Sequence, residues 1–225
     1  SKKYLKDLLD ESKTSLNYDA FDAIFNSKDL KKVNLDPKIG LIKGSAINFY
    51  DDNITESEVN DFYKKINLDD PKKPISLGLN SKLIKVDGAI KEKVWKLDGM
   101  YSNSIEKIIF WLKKAMSVSE NDQQKKAFGL LIKYYETGDL KTWDDYNIEW
   151  VNTLEGDIDY INGFIEVYND PMAYKASFES VVQIKDFEMS KKMDALSKNA
   201  QWFEDNSTIS NNHKRKNVVG ISYNT

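Results

Sequence analysis

Six residues in the last third of the chain, Gly163-Phe164-Ile165-Glu166-Val167-Tyr168, place a carboxylate and a phenol two positions apart in an apolar run. Side chains alternate faces along a strand. Ile165 and Val167 would therefore point one way and Phe164, Glu166 and Tyr168 the other, with carboxylate and phenol about 7 Å apart. A carboxylate holds a cationic amine, and a tyrosine hydroxyl donates to a carbonyl oxygen or a developing oxyanion. The Ile/Val face suits a core. The Glu/Tyr face suits water as well as a ligand, and alternation alone leaves both open.

Other chemistry is narrowed by what the chain lacks. There is a single histidine, His213, in 225 residues. Reactions needing two imidazoles on this chain are excluded, as are His-x-x-His, His-Glu-x-x-His and His-Glu-x-x-Gly-His zinc motifs. With no cysteine, a disulfide scaffold, a thiolate zinc site and a cysteine nucleophile are excluded too. No metal site is expected in this chain. His213 opens the run His213-Lys214-Arg215-Lys216, which reads as solvated surface. Glycine-rich phosphate loops are absent. Thirty-three Lys+Arg against 36 Asp+Glu leave a net charge of -3, so neither nucleic acid nor a membrane surface is an expected partner. No apolar run approaches the roughly 18 residues of a membrane helix, and Ser1-Lys2-Lys3-Tyr4 begins no signal-type stretch. The 40% hydrophobic and 12% aromatic content supports a sizeable core.

The elements that must position the Glu/Tyr pair follow from periodicity. Tyr4-Leu5-Leu8-Leu9 and Phe21-Ile24-Phe25 have helical spacing. Thr55-Glu56-Ser57-Glu58 forms a capping box, Ile54 and Val59 fit a hydrophobic staple, and Phe62, Tyr63 and Ile66 continue the stripe. Asp69 to Pro74 breaks it. Ile75 to Lys85 and Ala89 to Lys96 predict strands around an Asp87-Gly88 hairpin turn. Residues 102–154 predict helices. The first carries Ile105, Ile108, Ile109, Leu112 and Met116, widened by Phe110 and Trp111. The second carries Ala127, Phe128, Leu131, Ile132 and Tyr135 and stops at Thr137-Gly138. The third, capped by Thr142, carries Tyr146, Trp150 and Leu154. Asp157 to Tyr168 and Tyr174 to Lys185 predict strands joined by Asn169-Asp170-Pro171 turn chemistry. Asp186 would cap a helix with Met189, Met193, Leu196, Ala200 and Phe203 on one face. Glu204 to Lys216 reads as a loop and Asn217 to Tyr223 as a strand. The fold class is α+β, a small mixed or antiparallel β-core surrounded by helices. In one unit, 1–225, it runs as helices and loops (1–74), a hairpin (75–96), helices (102–154), then strands plus one helix (157–225). The stop at Thr225 inside a period-2 segment predicts a boundary within a longer protein.

Asn162-Gly163-Phe164-Ile165-Glu166-Val167-Tyr168-Asn169-Asp170-Pro171, continued by Tyr174-Lys175-Ala176-Ser177-Phe178-Glu179, resembles the first signature block of the dipeptidyl-peptidase III family of zinc metallopeptidases, its bacterial branch most closely. Gly78 to Leu83, Ile132 to Leu140 and Asn199 to Asp205 add to the resemblance. Ala173 and Ala176 stand where the family usually has glycine. An alanine is comfortable only at negative φ, so the loop after Pro171 is expected to differ. The resemblance implies two lobes around a wide cleft, the lower with a β-core of about five strands, the upper holding zinc through a His-Glu-x-x-Gly-His helix and a further glutamate. It implies release of dipeptides from the free N-terminus of short peptides, which lie in the cleft as an added strand. On this sequence Tyr168 matches the tyrosine that supports the scissile carbonyl's oxyanion, and Glu166 the carboxylate that binds the peptide's ammonium. Gly163, Asp170, Pro171, Lys175 and Glu179 match the block as supporting residues, Asp170, Lys175 and Glu179 with structural roles in turn and strand. No zinc ligand of the family has a counterpart here. The implied picture is a lower-lobe fragment, inactive alone, whose partners are a short peptide and the missing zinc-binding lobe, with zinc in the full-length parent. The alternative is a non-catalytic peptide-binding module that uses an exposed sheet face. A soluble protein of the bacterial cytoplasm is expected.

Overall fold

The computed structural model describes residues 2–14, 24–25, 32–66, 72 and 74–218. The helix predicted at Phe21-Ile24-Phe25, the break at Asp69 to Pro74 and the strand from Asn217 to Tyr223 lie wholly or largely outside the described residues. Helix α1 spans Lys2–Ser12. Helix α2, Glu56–Lys64, starts where its capping box requires. The Thr55 N–H donates to the Glu58 carboxylate at 3.0 Å, and the Glu58 N–H donates to Thr55 Oγ1 at 3.4 Å. Two of the helix's otherwise orphaned donors are satisfied this way. Ile54 and Val59 on either side of the cap are buried together.

Strands β1 (Ser81–Val86) and β2 (Ala89–Val94) form an antiparallel hairpin with Val86 opposite Ala89. Asp87 and Gly88 both take positive φ, 51° and 79°, the conformation a two-residue hairpin turn demands. The strand predicted from Ile75 begins only at Ser81, because Leu77, Leu79 and Ser81 donate to nearby carbonyls in consecutive turns. Phe49 and Asp51 bond Leu83 on the open edge of β1.

Residues 102–154 form three helices: α3 (Ser102–Ser117), α4 (Asp122–Thr137) and α5 (Leu140–Asn152). Gly138 ends α4 with φ 72°, its N–H bonded to Tyr134 O at 2.7 Å, a left-handed stop that glycine takes without a Cβ penalty. Asp139, not Thr142, caps α5. Its carboxylate accepts from the Thr142 N–H at 2.9 Å and from the Thr142 hydroxyl at 2.6 Å. Thr142 is itself buried in the first turn. On α3 Ile105, Ile109 and Leu112 are buried, whereas Phe110 and Trp111 are exposed.

Strands β3 (Ile158–Glu166) and β4 (Ser177–Ile184) form a second antiparallel pair. Asp186 caps α6 (Phe187–Lys198) by accepting from Met189 N–H at 2.9 Å. The single helix predicted there is two, because the chain breaks at Asn199 before α7 (Ala200–Asp205). The Asn199 side chain bonds Ala195 O at 2.7 Å, a local bond that competes with helix continuation. Asn211–His213 is a short 3-10 turn within the predicted loop. The fold is α+β, with four strands in two separate two-stranded sheets among the described residues, against about five expected in one core. No described helix is long and apolar enough to cross a membrane.

Two apolar clusters hold these elements. The larger joins α3, α4 and α5 to β3, with Tyr160 stacked on Phe128 at 4.3 Å and Phe164 tilted against Trp95 at 4.8 Å. The smaller joins Tyr50, Ile54, Val59 and Tyr63 to Leu83. Strand β3 approaches α5 so closely at Gly163 that a Cβ there would overlap the Trp143 ring. Both groups are buried and neither backbone is free to give. Gly163→Ala is therefore expected to destabilise the chain by about 1–3 kcal/mol, as overpacking does, read as a lower urea midpoint with unchanged m-value.

Candidate functional site

Glu166 is the last residue of β3. Tyr168 stands two residues beyond it, in a turn closed by the Asp170 N–H on Val167 O at 2.9 Å. The predicted strand to Tyr168 thus stops early, and it is not regular. Phe164 pairs with Phe178 but Glu166 pairs with Ser177, so Ile165 is the extra residue of a β-bulge. A bulge re-aims the side chains that follow it. Phe164 is buried in the core while Glu166, of the same parity, is exposed. Ile165 and Val167 are half-buried against the larger cluster. Tyr168 is 66% exposed. Neither the Glu166 nor the Tyr168 side chain has a hydrogen-bond or ionic partner among the described residues. Gly163 and Glu179 face each other across the hairpin register.

The turn after Tyr168 is bound far more tightly. Asp170 is 3% exposed. One carboxylate oxygen accepts from the Tyr50 hydroxyl at 2.6 Å and from the Tyr174 and Lys175 N–H groups at 3.0 and 2.9 Å. The other accepts from Met172 N–H at 3.0 Å, as Pro171 turns the chain. The Lys175 side chain is 0% exposed. Its ammonium donates to the Tyr63 hydroxyl and, at 2.9 Å, to Ser81 Oγ. It lies 3.8 Å from the Glu92 carboxylate and 4.9 Å over the Tyr63 ring. Tyr63 and Ser81 in turn donate to Glu92 at 2.8 and 2.7 Å. Tyr174 stacks on Tyr63 at 4.4 Å. Burial pushes the Tyr50 and Tyr63 hydroxyls well above the usual phenol range, reinforced by Asp170 and Glu92 respectively. Burial also brings Lys175 down to about 8, against the pull of Glu92 and Asp170.

Of this network only Asp170 and Lys175 are candidate site residues in the sequence; Tyr63 stands there in a helical stripe, Ser81 within the Gly78 to Leu83 stretch, and Tyr50 and Glu92 carry no signal. The partners of Lys175 lie 112 and 94 residues away, beyond the reach of any local pattern. The one available signal was a lysine set between Tyr174 and Ala176. Among the described residues no three His, Asp or Glu side chains gather where a metal ion could sit, and His213 is exposed in its 3-10 turn. This donor set does not fit zinc.

Comparison with known proteins adds the family. The model described as Peptidase family M49 matches residues 79–206, more than half of the chain and all of β1 to α6. The chain belongs to peptidase family M49. Dipeptidyl peptidase 3 of Rattus norvegicus is 24% identical over 103 residues, covering 46% of this chain and 14% of that protein. The Homo sapiens protein of the same name is 25% identical over the same shares. Among solved structures, DPP III from Caldithrix abyssi has a TM-score of 0.56 at 22% identity, over 76% of this chain and 31% of that one. Dipeptidyl-peptidase III from Corallococcus sp. strain EGB has a TM-score of 0.51 at 20% identity, over 76% and 30%. These two share the fold. The chain spans well under a third of the length of the curated relatives it matches.

Within the M49 match, Ala173 departs from expectation. Its φ is 57°, so alanine has not moved the loop to negative φ. The Asp170 carboxylate on three N–H groups, with Ala173 N–H on Asp170 O at 2.9 Å, holds the backbone left-handed despite the Cβ. Ala176 carries no such strain; it is buried and donates to Leu79 O at 3.0 Å. A left-handed non-glycine residue costs roughly 1–2 kcal/mol, partly offset by the unfolded-state entropy that glycine adds. Ala173→Gly is expected to stabilise this M49 chain by about 0.5–1 kcal/mol, seen as a higher urea midpoint.

Lys175 adds a pH dependence. Its folded pKa lies below its unfolded one, so between the two the unfolded chain holds a proton that the folded chain has released. Stability then rises with pH. Between about pH 7.5 and 9.5, below the range where tyrosines titrate, the unfolding free energy of the wild type should gain about 2 kcal/mol on that of Lys175→Met. Parallel pH curves for the two proteins in urea titrations would remove this assignment.

Proposed function

We propose that this chain carries the substrate-binding strand end and turn of a zinc-dependent exopeptidase, part of its lower lobe, which releases dipeptides from the free N-terminus of short peptides. One observation carries the proposal. Within a single ten-residue block, Asp170 and Lys175 are buried and fully bonded, while Glu166 and Tyr168 are exposed and unpartnered among the described residues. A scaffold residue meets its bonding needs inside the fold, whereas a recognition residue keeps its bonding capacity for a ligand.

In this reading the Glu166 carboxylate takes the ammonium of an incoming peptide, a charge-assisted contact. The Tyr168 hydroxyl donates to the carbonyl oxygen of the bond to be cut, a contact that strengthens as charge develops there. The names of the curated relatives, dipeptidyl peptidases, fit an ammonium-binding carboxylate at a fixed distance from the reacting carbonyl. A zinc ion supplies a polarised carbonyl and an activated water in such enzymes. Among the described residues no donor set suits one; this reading assigns the metal to another part of the full-length protein and expects the chain alone to bind peptide without cleaving it.

The test uses steady-state kinetics of two variants of the full-length protein beside thermal melts. Tyr168→Phe should lower kcat by about 10²–10³-fold with little change in KM, because the lost bond is made mainly in the transition state. Its melting temperature should not move, since the ring is 66% exposed. Glu166→Gln should raise KM for peptides with a free amino terminus and affect amino-blocked peptides less. An unchanged kcat in Tyr168→Phe would remove the oxyanion role.

A further inference from the structure

We infer that Lys175 is the positioning residue of the candidate peptide site: together with Asp170 it clamps the turn bearing Tyr168 onto α2, β1 and β2. This inference rests on the function proposed above.

Tyr168 has no bond of its own among the described residues, so only its backbone can hold it in register with Glu166. On the N-terminal side that backbone is β3, loosened by the bulge at Ile165. On the C-terminal side it is fixed almost at once. Asn169 donates to Ser177 Oγ at 2.6 Å, and the Asp170 N–H returns to Val167 O at 2.9 Å. The Asp170 carboxylate then gathers the amides of Met172, Tyr174 and Lys175 and the hydroxyl of Tyr50. These bonds shape the turn and give it one outside anchor, Tyr50. Tyr174 adds its stacking on Tyr63 and a bond to Asn60 of α2 at 3.4 Å, and Lys175 supplies the charged anchors. Its ammonium reaches Tyr63 of α2, Ser81 of β1 and Glu92 of β2, three elements that do not otherwise touch the turn through charged groups. The ammonium also lies 4.9 Å from the centre of the Tyr63 ring and 6.0 Å from that of Tyr50. With these bonds in place the freedom left to Tyr168 is that of its side chain.

The titratable groups facing Lys175 are Tyr50, Tyr63, Glu92 and Asp170. Neither Glu166 nor Tyr168 bonds the ammonium. Its effect on turnover must therefore pass through the turn, and a small displacement there is enough, since an error of about 1 Å in a reacting group costs up to about 100-fold in rate.

The experiment measures kcat and KM of the full-length protein for tetra-alanine bearing a free amino terminus, with N-acetylated tetra-alanine as control. Lys175→Met removes the ammonium. Tyr50→Phe removes one hydroxyl from the Asp170 end and is the variant that decides if Lys175→Met does not fold. Each is made in the wild type and in a Tyr168→Phe background. The expected result is a kcat lowered about 5- to 10-fold by each variant with little change in KM and an unchanged far-ultraviolet spectrum, and no such further loss in the Tyr168→Phe background. Losses that add to that of Tyr168→Phe, or no loss in either variant, overturn the positioning role. Amide hydrogen exchange at Asp170, Met172, Tyr174 and Lys175 reads the clamp without peptide. If the wild type does not cleave tetra-alanine, the peptide-site reading fails. The clamp is then judged by exchange alone: faster exchange in the variants sustains it and unchanged exchange overturns it.

Discussion

An ammonium removed from water must be compensated by the protein that buries it, and the penalty for failing is several kcal/mol. Lys175 draws its compensation from three elements distant in sequence: Tyr63 of α2, Ser81 of β1 and Glu92 of β2. None of these suffices alone. A buried lysine with one partner removed leaves both a charge and an acceptor unpaired, so the elements have to be present together. The demand extends to a residue with no side chain. Gly78 sits at φ 80°, where a Cβ would overlap the Tyr63 phenol and come within 3.0 Å of the Lys175 ammonium. The turn that delivers Ser81 to the lysine is therefore open to glycine for two independent reasons, conformation and space.

The lysine also lies at the seam between the two apolar clusters. Met172 and Tyr174 pack on the smaller cluster around Leu83, and Ala176, two residues on, belongs to the larger one around Leu131 and Phe164. Area burial would hold each cluster together without specifying how they meet, because apolar contact is non-directional. Hydrogen bonds with defined partners are directional. The polar network between the clusters thus supplies an orientation that packing does not, and the β3–β4 hairpin inherits it through Asp170 and Ala176.

Local chemistry in the sequence was legible wherever its partners were local. The capping box at Thr55, the Asp87-Gly88 turn, the Gly138 stop and the Asp186 cap each close within four residues, and each stands where the pattern places it. Misplacements arose where two local solutions competed. Asp139 and Thr142 are both capping types, and the carboxylate wins because it accepts from the Thr142 amide and hydroxyl at once. At Asn199 a side-chain bond to Ala195 O ends a helix that the apolar stripe alone would continue. The bulge at Ile165 leaves no mark in a period-2 pattern, since it is defined by the partner strand's register. For the candidate site, residue types pointed to Glu166 and Tyr168, whereas the scaffold beneath them is written in residues about a hundred positions apart.

The strain at Ala173 belongs to the same design. Left-handed backbone at a residue with a Cβ persists only where the surroundings over-determine it. Here Asp170 binds three amides of the same short loop, and Lys175 then fastens that loop to the rest of the fold. Five residues before Ala173, Tyr168 projects a hydroxyl with no internal partner. Rigid backbone and an unsatisfied side chain are what a recognition group requires, because ordering losses at binding fall mainly on whatever was mobile beforehand. A turn held by ordinary main-chain bonds would leave Tyr168 to be ordered by its ligand. A turn locked by a buried carboxylate and a buried ammonium has met that cost during folding, and the cost shows as one strained alanine and one lysine whose proton is held less tightly than in water.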